Sequence, residues 1–236
     1  MGCGFVYLEI APVYESLVKE TAWEKTSEVE KIARRKREPL KQSISDALKV
    51  FKRDVLKRNK LFRLLERHVD DGKVLDIGCG GGGILATLDH KYTPFGIEIS
   101  EYLARTGNKN LKERGGAIVH NDAISGLDEF DANFFSGILM SAFLEHEINP
   151  KQLLQECLRT LKRHGIAIIK VPNYSSINRV FRGRRWCGFR YPDHVNYFTP
   201  DSLQNLCRKV GFTIHQFDLF DRPPFSDNMW MVVRKD

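Results

Sequence analysis

The 236-residue chain predicts an α/β fold: a doubly wound sheet of seven strands, five parallel and a terminal antiparallel pair, with an N-terminal helical extension. Three observations predict it. From about residue 69 onward, short apolar runs alternate with stretches of helical spacing, the pattern of repeated β-α-β units. The first run, Val74-Leu75-Asp76-Ile77, opens into a glycine-rich turn, and a second run ends in an acid, Glu98. The chain closes on two apolar runs with no helix between them, which reads as a hairpin.

The elements follow in order. Residues 5–10 (FVYLEI) read as an extended lead, with a helix after it. Residues 40–68 read as helical, since Ile44, Leu48, Phe51, Val55, Phe62 and Leu65 recur at intervals of three, four or seven between Lys and Arg. Pro39 suits the first turn of that helix. Strands are expected at 73–78, 95–100, 116–120, 135–140 and 165–172, and helices near 82–90, 100–113, 149–162 and 201–210. The closing pair is 213–220 and 228–235. Domain boundaries fall at 1–68 for the helical extension and 69–236 for the α/β domain, with an insert at about 173–198.

The turn is the chemically informative segment. Glycines at 78, 80, 81, 82 and 83 allow a sharp bend and close approach to a ligand, because no Cβ intervenes. Gly78, Gly80 and Gly83 satisfy the dinucleotide spacing G-x-G-x-x-G, while Asp76, Gly78, Gly80 and Gly82 satisfy D-x-G-x-G-x-G. Asp76 decides between them. A pyrophosphate ligand gains nothing from a carboxylate there, whereas a cationic ligand does. S-adenosylmethionine carries an ammonium and a sulfonium, and Glu98 suits the two hydroxyls of its ribose. This loop resembles motif I of the class I S-adenosylmethionine-dependent methyltransferases, which share the Rossmann-like sheet.

The resemblance extends over roughly residues 60–236. It covers Phe134–Pro150 and the segment from Trp186 to Phe212, which are similar to the branch containing the ubiquinone-biosynthesis O-methyltransferases. It implies a cofactor set of Asp76, Gly78, Cys79, Gly80, Gly82, Glu98, Ile99, Asn121, Asp122 and Ala123, with Asp122 accepting from the adenine amino group. Cys79 reads as a small filler, since no base is near it in sequence. Two departures are visible: Ser136-Gly137 where the family often has Asp, and Leu161-Lys162-Arg163-His164-Gly165 where it has a second glycine.

Methyl transfer is an in-line displacement, so the protein positions the acceptor and manages its proton. His194, in the loop after the fifth strand, is the candidate base; His146 is either a second base or an orienter of the helix that follows it. Asn173, Tyr174, Trp186, Arg190 and Tyr191 are the candidate acceptor contacts. Trp186, Phe189, Tyr191 and Tyr197 form either an aromatic wall or the core of the insert. Arg179, Arg182, Arg184, Arg185 and Arg190 favour an anionic acceptor. The resemblance implies a small-molecule acceptor of the quinone-precursor, secondary-metabolite or cell-surface sugar type, methylated on oxygen.

Composition narrows the alternatives. An apolar fraction of 42% supports a core, and no apolar run approaches the 18 residues of a membrane span. Five cysteines without a C-x-x-C spacing argue for a reducing, cytoplasmic setting and against a zinc site; no metal is expected. Cys3-Gly4-Phe5 is similar to the end of a zinc ribbon, but its partner cysteines are missing. The first residues lack the basic-then-apolar pattern of a secretion signal, and Val6 stands where a myristoylation signal needs Ser or Thr. The net charge is +7, yet residues 31–67 alone hold fourteen Lys or Arg against four acids. A solvated face of a cap is the ordinary reading of that segment, an acidic substrate or carrier comes next, and RNA or an anionic membrane last. An RNA or protein methyltransferase is the alternative function; Ser141-Ala142-Phe143-Leu144 stands where an amine-directed relative would carry N-P-P-Y. A non-catalytic cofactor-binding member is the third.

Overall fold

A computed structural model describes residues 5–9 and 60–236. Chain contacts divide the protein into two compact units, Met1–Ala11 with Leu65–Asp236, and Pro12–Leu64. The lead at Val6–Tyr7 (β1) therefore belongs with the α/β domain rather than with the rest of the extension. Of the helix expected over 40–68, the described part is α1, Lys60–His68. Pro39, residues 40–59 and the helix expected after the lead lie outside the described residues.

The main sheet is built from β2 (Gly72–Ile77), β3 (Tyr92–Glu98), β4 (Ala117–His120), β5 (Phe135–Ser141), β6 (Leu161–Pro172), β8 (Thr213–Gln216) and β9 (Asn228–Arg234). Its order is β4-β3-β2-β5-β6-β9-β8. The first five strands run parallel, and β9 is antiparallel to both β6 and β8. The chain winds outward from β2 to β4, then returns to lay β5 on the other side of β2. That reversal opens a crevice beyond the carboxyl ends of β2 and β5, where open α/β sheets bind ligands. Asp76 sits there, in register with Gly96 on one side and Leu139 on the other.

The central strands are apolar on both faces because helices cover both. Val74, Leu75, Ile138, Leu139 and Met140 are all inaccessible to solvent. Gly137, one of the departures, is a packing device. A β-carbon there would meet the Val69 methyl at 3.2 Å, so the glycine lets β5 pass close beneath the chain leaving α1.

The helices are set by local chemistry. α2 (Gly83–Ala86) is shorter than expected, because the Thr87 hydroxyl donates to the Ile84 carbonyl and closes the last turn. α3 (Glu101–Leu111) is capped by Ser100, whose oxygen accepts from the Leu103 amide. α4 (Ala123–Asp128), α5 (Pro150–Thr160) and α6 (Ile177–Arg182) follow. α7 (Pro200–Val210) opens with a reciprocal Thr199–Ser202 capping box and ends at Gly211, whose φ is 113°. β7 (Asn196–Tyr197) pairs antiparallel with β1 in a separate two-stranded ribbon.

The strand expected at 213–220 runs short. β8 stops at Gln216 because the buried Asp221 carboxylate accepts from the Gln216 side chain and the Asp218 amide, turning the chain out of the sheet. Leu219 and Phe220 are consequently exposed on a loop rather than packed in a strand. Among the described residues no helix is long and apolar enough to cross a membrane.

Candidate active site

The glycine turn is built from its backbone outward. Gly78, Gly80 and Gly82 adopt φ of 72°, 56° and 72°, in the left-handed region where a Cβ is strained. A β-carbon on Gly78 would also overlap the Phe143 ring, whereas one on Gly80 or Gly83 would enter open space. The amides of Gly78 and Cys79 donate to the Ile97 carbonyl at 2.9 and 3.2 Å, which lashes the turn to the end of β3. Glu98 completes the lashing. One carboxylate oxygen accepts from the Gly80 amide at 2.8 Å and the other from the Ser100 amide at 2.9 Å. The acid therefore shapes the loop. Cys79 is buried, and burial together with the charges of Asp76 and Glu98 holds its thiol protonated. It fills space, as its surroundings in sequence suggest.

Asp76 is the unusual group. Its carboxyl is 3% exposed and makes no hydrogen bond among the described residues. Burial, and then the neighbouring charge of Glu98, push its pKa up to about 7. The Glu98 charge is near enough to act on Asp76, and no cation offsets it. This donor set fits a positively charged ligand and would repel a pyrophosphate. With open space above Gly80 and Gly83, the residues present suit an S-adenosylmethionine-shaped molecule.

The other predicted cofactor contacts surround this pair. Ile99 is half-buried, and its carbonyl accepts from the His120 ring at 3.1 Å. Asn121 donates its amide to the Glu98 carbonyl and accepts the Asp122 amide on its side chain. Asp122 caps α4: one oxygen accepts from the amides of Ile124 and Ser125 at 3.0 and 2.9 Å. Its second oxygen meets no protein donor among the described residues. Ala123 is buried in the first turn of that helix.

Across the crevice, the segment after β5 meets the loop that follows α6. Ala142, just after β5, has φ of 60°, a strained value for a residue with a Cβ, and its amide donates to the Lys170 carbonyl. The amides of Val195 and Asn196 donate to the Glu145 carbonyl at 2.9 and 3.0 Å, and the Asn196 side chain donates to the Leu144 and Glu147 carbonyls. These bonds bring His146 and His194 edge to face, 4.7 Å between ring centres. Each ring donates Nδ1–H to a backbone carbonyl at 2.8 Å, His146 to Asp193 and His194 to Gly188. Burial lowers the pKa of His146 to about 4, against the opposing pull of the Asp193 carbonyl.

Glu145 is the site residue that sequence reasoning did not single out. It is 1% exposed, and its Oε2 has no hydrogen-bond partner among the described residues. Burial raises its pKa to about 7, while Lys170 and Arg190 pull the other way. The available signal was an acid next to His146 in a segment otherwise apolar. Glu145, His146 and His194 each offer one ligand atom, all within 4.8 Å of one another.

The expected acceptor contacts divide. Arg190 lies beside Asp193 at 3.4 Å and close enough to Glu145 and His146 to act on their charges. Asn173 is buried and holds a turn, accepting the Ser175 amide and donating its own amide to Asp227. Trp186 is an interior residue of the insert: it is 2% exposed and its indole N–H donates to Asp227. Tyr174 packs edge-on or tilted against Trp186, Phe189 and Tyr197, under the Arg179 guanidinium at 4.3 Å. The aromatic set is thus chiefly core of the insert. Tyr191 lies outside it, 80% exposed.

The chain is similar to known proteins in sequence and fold. A methyltransferase domain family matches residues 51–216. A ubiquinone biosynthesis O-methyltransferase of Maricaulis maris is 31% identical over 159 residues, covering 63% of this chain and 62% of that protein. An uncharacterized protein of Methanocaldococcus jannaschii is 28% identical over 63% of this chain and 68% of its own. Among solved structures, an S-adenosylmethionine-dependent methyltransferase from Archaeoglobus fulgidus superposes with a TM-score of 0.58 at 19% identity, over 79% of this chain and 98% of that one. The chain belongs to the methyltransferase domain family and shares the fold of S-adenosylmethionine-dependent methyltransferases.

Proposed function

We propose that this methyltransferase moves a methyl group from S-adenosylmethionine to an oxygen of a small, anionic acceptor. The observation that carries the reading is the His146–His194 pair, stitched to Glu145 across the crevice from the Asp76–Glu98 carboxylates. The donor, when bound, supplies an electrophilic methyl group. Asp76 and Glu98 hold its positive charge and its ribose, and the glycine turn lets the backbone approach it.

The chain's own chemistry is then proton management. His194 donates Nδ1–H to Gly188, so its neutral ring carries the lone pair on Nε2, the form able to take a hydroxyl proton from the acceptor. His146, with its pKa near 4, stays neutral in the working range and does not compete for that proton. It packs against His194 and fixes its plane. Arg190 and Lys170 lend positive charge beside the pair, which favours an acceptor bearing a carboxylate or phosphate. The named O-methyltransferase relative from Maricaulis maris supports oxygen as the methylated atom. No observation in the site favours RNA or protein as acceptor.

A second reading has one observation behind it. The Glu145, His146 and His194 ligand atoms are close enough to share a divalent cation, which would polarise the acceptor oxygen instead of a base. The positive charges of Lys170 and Arg190 oppose it. The deciding experiment incubates the protein with methyl-labelled donor and a metabolite extract, with and without EDTA. Label in an acidic small molecule, insensitive to ribonuclease, protease and chelator, is the expected result. Label confined to RNA or protein removes the small-molecule reading, and loss of all labelling with EDTA transfers the role to a metal.

A further inference from the structure

The insert carries a surface that the active site does not use. Val180 and Phe181 on α6 are 67% and 84% exposed, and Leu219 and Phe225 on the loop after β8 are 73% and 69% exposed. These two segments are one structure. The Ile177 amide donates to the Pro224 carbonyl at 2.8 Å, and the Asn178 side chain donates to the Phe225 carbonyl at 2.7 Å. Val180 and Phe181 lie one helical turn beyond Ile177 and Asn178, so they rise from the same side of α6 that meets the loop. Large apolar side chains this exposed, on adjacent segments, mark an interaction surface rather than ordinary scatter.

Charge identifies the occupant. Between Tyr174 and Pro192 the sequence has five arginines and no acid. Arg184 and Arg185 are exposed and Arg182 half-exposed, and none of the three forms an ion pair among the described residues. The acids of the neighbouring loop are engaged inward: Asp221 on Gln216, Asp227 on Trp186, and Asp218 on the amides of Phe220 and Asp221. The strongly basic segment 31–67 has the wrong sign to cover such a face. Protruding apolar tips with an arginine rim match the boundary of an anionic bilayer, where tips enter the acyl region and the rim meets phosphates.

We infer that α6 and the 217–227 loop form a peripheral docking surface for anionic lipid membranes. The test is co-sedimentation of the full chain with vesicles of phosphatidylglycerol and phosphatidylcholine in equal parts, and with vesicles of phosphatidylcholine alone. The wild type is expected to bind the anionic vesicles at least tenfold more tightly. Replacing Arg182, Arg184 and Arg185 together by Ala should weaken binding by about fivefold per arginine, roughly a hundredfold in all. Phe181→Ser with Phe225→Ser should weaken it by about tenfold per residue, at low salt as well as high. Both variants should keep wild-type melting temperatures and donor affinity, which separates lost docking from lost folding and from any failure of the acceptor reading. Absence of vesicle binding by the wild type overturns the inference. So does equal binding by both variants, which would place the contact elsewhere in the chain. A dimer by light scattering that the phenylalanine variant dissolves, or RNA binding that the variants abolish, without vesicle binding, would hand the surface to another partner.

Discussion

At Asp76, a carboxyl without a hydrogen bond among the described residues has a pKa of about 7, first because it is buried and then because its charged neighbour is an anion, Glu98. A cationic donor would reverse that balance, and binding then requires the proton to leave. Donor affinity measured by calorimetry should therefore weaken by about tenfold for each pH unit below 7 and level off above it. Asp76→Asn should bind more weakly and lose this pH dependence; an unchanged slope would mean that Asp76 does not meet the cation. The two histidines separate in the same manner. His194→Ala should lower turnover by roughly a hundredfold while leaving donor affinity intact, as expected for a lost general base. His146→Ala should lower it by a smaller factor, since a ring with a pKa near 4 orients rather than titrates. Equal losses in steady-state kinetics would assign both rings one shared role, as metal binding would.

The elements that hold these residues are of two kinds. The turn after β2 is conformationally demanding: Gly78 has φ of 72° and faces the Phe143 ring. Gly78→Ala should cost about 1–3 kcal/mol of stability by chemical denaturation, from the left-handed backbone and the displaced ring. Adding Phe143→Ala should relieve only the part due to the ring. The loop bearing His194 is held differently, by β1 pairing with β7 and by the Leu8 amide donating to the Val195 carbonyl at 2.9 Å. Leu8→Pro removes that donor. Amide exchange at Val195 and Tyr197 should accelerate, and turnover should fall severalfold with donor affinity unchanged. The first device was legible in the sequence, because glycine spacing and a strand-end acid are local features that only a tight turn requires. The second was not. FVYLEI showed an extended segment, but its partner lies about 190 residues away, and nothing local announces such a pairing. Trp186 and Tyr191 show the same limit: an aromatic's type does not reveal whether it packs inward or projects outward. Glu145 was missed because a buried acid is recognised by its lack of partners, which only the fold creates.

Across the whole molecule, the site's groups set how stability responds to pH. Asp76 and Glu145 have folded-state pKa values of about 7, above the 3.8 and 4.5 of the free groups. Folding keeps both protonated, so their favourable contribution is present below about pH 4 and is lost as pH rises toward 7. His146 acts in the opposite sense. Its folded value of about 4 lies below the ordinary 6.5, so its contribution is present above 6.5 and is lost as pH falls toward 4. Each group represents on the order of 3–5 kcal/mol at about 1.4 kcal/mol per pH unit. Two acids outweigh one imidazole, so the melting temperature should fall as pH rises from about 5 to 8. Scanning fluorimetry of Asp76→Asn and Glu145→Gln should each flatten the decline, and an unaltered slope in both would locate its cause outside the site. The cationic donor should add to this in a definite direction. It stabilises the ionised form of Asp76, so its thermal shift at saturating concentration should be larger at pH 8 than at pH 6, where part of its binding energy is spent removing the proton. Equal shifts at the two values would contradict a cation seated against Asp76, and with it the proposal that the buried pair Asp76 and Glu98 favours a cationic methyl donor over a dinucleotide.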